Sequence, residues 1–176
     1  MKTIALQEFL DNQSFFISEA KEGKIFIYPT DTVYGIGWIY RQDIINKIFA
    51  IKQREETNKK LFSIIAPSFD WIERNEETDI DQLRKYLETY HGVTYIFDHN
   101  RPWVRIIKHP FQTFVEMLGE PFITTSCNLA WEPIVTEIEN IPAEISEQVD
   151  YIIDGWPLGG KPSVLIDLVE NKIIER

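Results

Sequence analysis

The chain has 176 residues, 44% hydrophobic and 26% charged, a composition typical of a globular domain with a sizeable core. Its formal net charge of −10 argues against a broad nucleic-acid-binding face, because proteins that neutralise phosphate backbones are usually basic. A single cysteine excludes an internal disulfide and fits the cytoplasm, and no apolar run approaches the ~20 residues of a transmembrane helix.

Hydrophobic periodicity predicts helices alternating with strands. The first helix covers 4–21, where Glu8 and Asp11 rule out a signal peptide, and a short buried strand follows at 24–28. Further helices are predicted at 43–52, 80–90 and 110–119. Further strands are predicted at 61–66, 93–97, 103–107, 121–126, 149–154, 163–168 and 172–175. This interleaving indicates one α/β domain, residues 1–176, with a mixed sheet.

Short polar residues and glycines directly follow the strand at 24–28. Thr30 and Thr32 offer hydroxyl groups, and Gly35 and Gly37 allow a positive φ or the close approach of a ligand. A binding site explains this concentration of residue types. A turn whose hydroxyls bond the local backbone explains it equally well.

Four cations lie within nine positions of this acidic chain, at Lys52, Arg54, Lys59 and Lys60. A guanidinium fork beside ammonium groups suits the recognition of phosphate or carboxylate. Cations are also favoured at the C-terminus of a helix for structural reasons, which is the commoner case.

The segment TTSCNL follows the start of an apolar strand. Ser126 and Asn128 are two residues apart, so in an extended chain both face the same side and can orient a polar ligand together with Thr124. Cys127 then faces the other side. No histidine is spaced to serve it as a base, so we interpret it as a packing residue rather than a nucleophile.

Two weaker signals lie elsewhere. Arg105 occurs in an apolar strand, where a charge needs a partner, and Ser163 begins a strand beside two glycines. No His, Cys, Asp or Glu residues occur at metal-ligand spacing, so no metal site is predicted. Asp31, Asp70 and Asp154 are scattered, and we expect such loop acids to be solvated.

Taken in order, these motifs resemble those of the YrdC/TsaC family of threonylcarbamoyl-AMP synthases in its short form. The matching segments are YPTDTVYGIG at 28–37, KQR at 52–54, VRIIKHP at 104–110, TTSCN at 124–128 and IIDGWPLGGKPSVLID at 152–167. The resemblance covers essentially the whole chain. The family implies a twisted mixed α/β sheet around a large concave, positively charged pocket.

The family reaction joins L-threonine, bicarbonate and ATP into threonylcarbamoyl-AMP and releases pyrophosphate. The resemblance also implies that magnesium accompanies the nucleotide. The product would serve the threonylcarbamoyl modification of adenosine in cytoplasmic tRNA. Partners implied in this way are tRNA or the downstream threonylcarbamoyl transferase proteins.

Site residues are carried over from the same resemblance. The catalytic group around the phosphates and the carbamoyl would be Lys52, Arg54, Ser126 and Asn128. Substrate-binding residues would be Thr30, Thr32, Lys59, Arg105, Thr124 and Ser163, with Arg105 facing the threonine carboxylate.

Two departures from the family pattern leave an alternative open. The loop after Arg54 carries Glu55 and Lys60 where the family has prolines, and the connection from Phe97 to Trp103 is short. Both changes would surround the ATP site. A paralogue without synthase activity, binding nucleotide or double-stranded RNA or tRNA, is therefore the competing hypothesis.

Overall fold

The structure is a computed structural model that describes residues 1–41, 47–48, 50–52 and 62–175. Within these residues, ten strands form one sheet. The strands are β1 (Lys2–Ala5), β2 (Phe26–Tyr28), β3 (Gly35–Gly37), β4 (Ser63–Ile65), β5 (Val93–Ile96), β6 (Trp103–Arg105), β7 (Phe122–Ser126), β8 (Tyr151–Asp154), β9 (Val164–Asp167) and β10 (Lys172–Ile174).

The sheet is mixed, with the spatial order β1-β8-β2-β3-β7-β4-β6-β5-β9-β10. The pairs β1–β8, β8–β2, β4–β6 and β5–β9 are parallel. The remaining pairs are antiparallel. Strand β7 lies in the middle of the order, so its polar C-terminal residues have paired strands on both sides.

Short helices flank the sheet. They are α1 (Leu6–Asp11), α2 (Gln13–Lys21), α3 (Phe69–Asn75), α4 (Ile80–Thr89), α5 (Phe111–Leu118) and α6 (Ala143–Ser146), with a 3-10 turn at Ile138–Asn140. Side-chain caps begin two of them: Ser68 accepts from the amide of Trp71, and Asp79 accepts from two amides of the first turn of α4. Gly119, the last residue of the range predicted for this helix, follows the end of α5 with a φ of 74°, a conformation that favours glycine.

An aromatic cluster joins α1, α2 and α5 to the sheet. Phe9 of α1 lies 5.0 Å from Phe114 of α5, measured between ring centroids. Tyr28 of β2 stacks on Phe111 at 4.1 Å with an interplanar angle of 6°. The rings are fully buried, which anchors the strand from which the polar segment 29–34 departs.

The predicted mixed α/β fold with flanking helices is confirmed, and several element predictions need correction. Residues 2–5 form β1 instead of the start of the 4–21 helix, because they pair in parallel with β8. Asn12 separates α1 from α2 in the rest of that range. Strand β3 and helices α3 and α6 were not predicted, although Ser68 supplies a cap signal for α3. The predicted helix at 43–52 lies partly outside the described residues. The prediction that residues 1–176 form a single domain stays a prediction.

Candidate active site

A cavity of about 310 Å³ lies among strands β3 to β7 and β9 and the segments that flank them. Six of the ten predicted site residues line it: Thr30, Thr32, Arg105, Thr124, Ser126 and Ser163. These residues come from four separate parts of the sequence. Folding therefore brings together most of the predicted substrate-binding residues.

The first polar segment forms both a local turn and a cavity wall. The Thr30 hydroxyl donates to the Val33 carbonyl at 2.7 Å and accepts from the amide of Thr32 at 3.1 Å. A hydroxyl has one proton, so the 2.9 Å contact between the two threonine hydroxyls must be donated by Thr32. The turn interpretation is thus correct for Thr30, while Thr32 also accepts from Arg105 at 3.3 Å.

The two glycines of this motif lie in strand β3, and neither has a positive φ. A Cβ at Gly37 would lie 1.7 Å from the carbonyl oxygen of Ile123 in β7. A Cβ at Gly35 would lie 3.1 Å from the Tyr28 ring and 3.2 Å from the Thr124 hydroxyl. At Gly37 the close approach of a neighbouring strand, rather than of a ligand, explains the glycine.

Arg105 forms a buried ion pair with Asp31. Its Nη2 donates to Asp31 Oδ1 at 2.6 Å, and the two side chains are 9% and 3% exposed. The expectation that Arg105 needs a partner is confirmed. The expectation that Asp31 is solvated was wrong, because the turn after β2 folds over the end of β6, 74 residues away in sequence.

Lys52 contacts the polar end of β7. The residue is 1% exposed. Its Nζ donates to the carbonyl oxygen of Ser126, and it also donates to the Thr125 hydroxyl at a distance of 3.3 Å. The Ser126 hydroxyl donates to Asn128 Oδ1 at 2.5 Å, as expected for two side chains on the same side. Three of the four predicted catalytic residues are therefore in one hydrogen-bonded chain.

Asn128 also holds the loop after β7. Its Nδ2 donates to the carbonyl oxygens of Leu129 at 3.0 Å and Glu132 at 2.7 Å. Arg54 and Lys59 lie outside the described residues. Their places beside the cavity, and its positive charge, stay predictions.

Cys127 has the properties of a packing residue. It is completely buried, and burial raises the pKa of its thiol to about 12, against the opposing effect of nearby Lys52. The thiol is therefore neutral at physiological pH and a poor nucleophile.

Sequence reasoning missed several residues of the site. Thr94 lines the cavity and shares a hydrogen bond of 2.7 Å with the Ser163 hydroxyl. Ser63, Thr125 and the rings of Phe62 and Trp103 complete much of the wall. The signal for Thr94 and Ser63 is a hydroxyl inside an apolar strand.

Two kinds of feature are absent from the part of the chain that the structure describes. Within the ranges the structure describes, no group of three or more His, Cys, Asp or Glu side chains could hold a metal ion. No described helix combines the length and apolar character of a membrane-spanning segment.

Comparisons with known proteins assign this chain to a family. The family profile Sua5/YciO/YrdC, which carries the description "Telomere recombination", matches residues 18–176. The chain is 27% identical over 172 residues to a threonylcarbamoyl-AMP synthase of Pseudoalteromonas translucida, covering 86% of this chain and 90% of that protein. It is 31% identical over 172 residues to a putative threonylcarbamoyl-AMP synthase of Methanocaldococcus jannaschii, covering 91% and 82%.

The fold also matches the crystal structure of P. abyssi Sua5 complexed with L-threonine. The TM-score is 0.80 at 21% identity, covering 98% of this chain. The match covers 55% of the Sua5 chain, so this chain spans about half the length of that protein. The resemblance inferred from the motifs is confirmed, and the chain belongs to the Sua5/YciO/YrdC family.

Proposed function

We propose that the protein is a threonylcarbamoyl-AMP synthase that uses L-threonine, bicarbonate and ATP and releases pyrophosphate. Relatives at 27% and 31% identity carry the name of this activity, the second as putative, over more than four-fifths of this chain. The structural relative Sua5 from P. abyssi has been solved with L-threonine. The product would then serve the threonylcarbamoyl modification of tRNA.

The observation that carries this proposal is the buried contact between Lys52 and the end of β7 beside the cavity. In the reaction, the threonine amino group would bond to the carbon of bicarbonate with loss of water, and the resulting carbamate would attack the α-phosphorus of ATP. A bond forms between a carbamate oxygen and that phosphorus, and the bond to pyrophosphate breaks. Lys52 and Arg54 would offset the negative charge that develops on the leaving pyrophosphate.

The other residues would bind and orient the substrates. Ser126 and Asn128 would hold the acyl-phosphate part, and Arg105 would meet the threonine carboxylate. The remaining substrate-binding residues would be Thr30, Thr32, Lys59, Thr124 and Ser163. No covalent nucleophile is required, because holding three small reactants together supplies most of the acceleration and a closed site protects the labile carbamate from water.

Magnesium would arrive with the nucleotide. Among the described residues, Ser and Thr hydroxyl groups and the guanidinium of Arg105 make up most of the polar lining, and no carboxylate cluster is present there. This donor set fits an ion held by phosphate oxygens and water rather than by a protein cage. The ion would neutralise phosphate charge.

The test is pyrophosphate release by the purified protein with ATP, threonine and bicarbonate. We expect release to require all three, and Lys52→Met to lower kcat at least about 100-fold, because one preorganised charge is removed while the aliphatic stem remains. Lys172→Met is the matched control, since Lys172 pairs with Glu170 on the surface and lies outside the cavity.

Two results would contradict the proposal. One is a folded parental protein that releases no pyrophosphate in the complete mixture. The other is a Lys52→Met variant that turns over at the parental rate, which would remove Lys52 from the reaction.

A further inference from the structure

Arg105 is held in the cavity wall by two acceptors on one nitrogen. Its Nη2 donates to Asp31 Oδ1 at 2.6 Å and to the Thr32 hydroxyl at 3.3 Å. An Nη2 carries two protons, so both are used. The end of the guanidinium is thereby fixed against the turn that follows β2.

The Nε–H of Arg105 has no such acceptor. It is buried and unpaired among the described residues, although the side chain lines the cavity. A buried donor without a partner is unfavourable by roughly 1–3 kcal/mol, so an acceptor supplied by a ligand would stabilise this group. Carboxylate and phosphate oxygens both bond strongly to a guanidinium, and Arg105 is the residue expected to face the threonine carboxylate.

Asp31 is itself unsuited to bind the ligand. Both carboxylate oxygens are engaged, Oδ1 with Arg105 and Oδ2 with the backbone amide of Lys108 at 3.0 Å. The side chain is 3% exposed and does not line the cavity. It acts on the cavity only through Arg105.

Asp31 has a rigid support. Lys108, whose amide it binds, donates through its own Nζ to the carbonyl oxygens of Leu87 at 2.8 Å and Tyr90 at 2.6 Å, at the C-terminal end of α4. On the other side, a Cβ on Gly92 would lie 2.7 Å from the Thr32 methyl and 3.4 Å from the Asp31 carboxylate. The amide that holds Asp31 Oδ2 is therefore anchored to the C-terminal end of α4, and a side chain at position 92 would collide with Thr32.

We propose that Asp31 is a positioning residue that holds Arg105 with its Nε–H ready for the carboxylate of the amino-acid substrate, and so sets the affinity for that substrate. This inference rests on the proposed function. A positioning role differs from a simple counter-ion role. For a counter-ion, the charge of Asp31 would matter but the position of its carboxylate would not.

The substitution Asp31→Glu separates the two roles, because it keeps the charge and moves the carboxylate by one methylene. Calorimetry would measure the Kd of L-threonine and of L-threoninamide, in which a neutral amide replaces the carboxylate. In the parental protein we expect threoninamide to bind at least about tenfold more weakly. In Asp31→Glu we expect the ratio of the two Kd values, threoninamide over threonine, to fall below about three. The Kd of ATP should change by less than about twofold.

Asp150→Glu is the matched control. Asp150 also accepts from a backbone amide, that of Ile25 at 2.9 Å, and pairs with a cation, Lys24 at 3.5 Å. It lies outside the cavity lining, so its substitution should leave the ratio at the parental value. A fall in the ratio in both variants would show that general loosening is the cause and would overturn the proposal.

A folded Asp31→Glu protein with the parental ratio would also overturn it. A parental protein that does not bind threonine would instead contradict the proposed function, so the two failures are distinguishable.

A measurement on the parental protein decides the matter if Asp31→Glu does not fold. The Nε–H signal of Arg105, assigned by its loss in Arg105→Lys, should be sharp in the free protein and should shift with threonine but not with threoninamide. An exchange-broadened signal in the free protein would mean that the guanidinium is not held, contrary to the proposal.

Discussion

The side chains around the cavity are oriented by hydrogen bonds in which the donor and the acceptor can be assigned. The Thr30 hydroxyl gives its proton to a carbonyl, so Thr32 must donate to Thr30 and accept from Arg105. In the same way Ser126 donates to Asn128 Oδ1, which leaves the amide group of Asn128 to hold two carbonyls. A residue exchanged within these chains would therefore disturb its neighbours as well as the ligand.

Gly37 shows how closely strands β3 and β7 approach at the site. Because a Cβ there would lie 1.7 Å from the Ile123 carbonyl oxygen, Gly37→Ala must push the two strands apart. We expect the free energy of unfolding, measured by urea denaturation, to fall by about 2–4 kcal/mol.

Gly159→Ala is the comparison for this prediction. A Cβ at Gly159 meets nothing within 4 Å, and its φ is not positive, so we expect a change within about 0.5 kcal/mol. Equal losses of stability in the two variants would show that the strand contact is not the cause.

At the level of elements, the site depends on strand β7. Its residues pair with β3 on one side, as Gly35 with Ser126, and with β4 on the other, as Ser63 with Thr124. Its apolar start, Phe122, packs in the aromatic cluster with Phe111. The strand thus connects the rigid core to the polar end that Lys52 contacts.

The turn between β5 and β6 is tied to the end of β9 by a hydrogen bond of 2.8 Å between His99 Nε2 and Asp167 Oδ2. This hydrogen bond raises the pKa of His99 above 6.5, with partial opposition from desolvation. Burial opposes ionisation of Asp167, but donors from the Glu170 amide, His99 and the Val169 amide outweigh it and lower its pKa.

These directions predict how stability depends on pH. The His99 contribution is present below pH 6.5 and is lost as pH rises through the raised pKa, while the Asp167 contribution is lost as pH falls through its lowered pKa. Urea unfolding of the parental protein and His99→Gln should differ more at roughly pH 5 than at roughly pH 9. A difference that grows toward high pH would refute the assignment.

For the whole molecule, the net charge of −10 bears on the competing hypothesis of RNA binding. Affinity for a nucleic-acid backbone comes largely from counterions released as cations neutralise phosphates, so it falls steeply with salt. A chain with this net negative charge repels an extended duplex over most of its surface, whereas a small triphosphate needs positive charge only locally.

We therefore expect tRNA binding by the protein to be weak and almost independent of salt, under conditions in which ATP binds. Fluorescence anisotropy of labelled tRNA between roughly 50 and 200 mM salt would measure the slope of log K against log salt. A slope steeper than about −3, with specific saturation, would instead favour the RNA-binding alternative.

The local sequence pattern determined much of the secondary structure of this protein. The alternation of helices and strands, the stop of α5 at Gly119 and the hydroxyl-rich ends of strands all follow from windows of about a dozen residues or fewer. The motifs also predicted the family, and with it three residues that form one hydrogen-bonded chain: Lys52, Ser126 and Asn128.

Tertiary structure alone decided which of these segments meet. Lys2–Ala5 forms a strand because it pairs with β8, and the same short segment read by itself also fits the start of a helix. Asp31 is a loop acid in sequence, and only the turn folding over β6 makes it the buried partner of Arg105. Periodicity specifies which face of an element is apolar, whereas contacts between residues more than 70 positions apart are set by how the whole sheet packs.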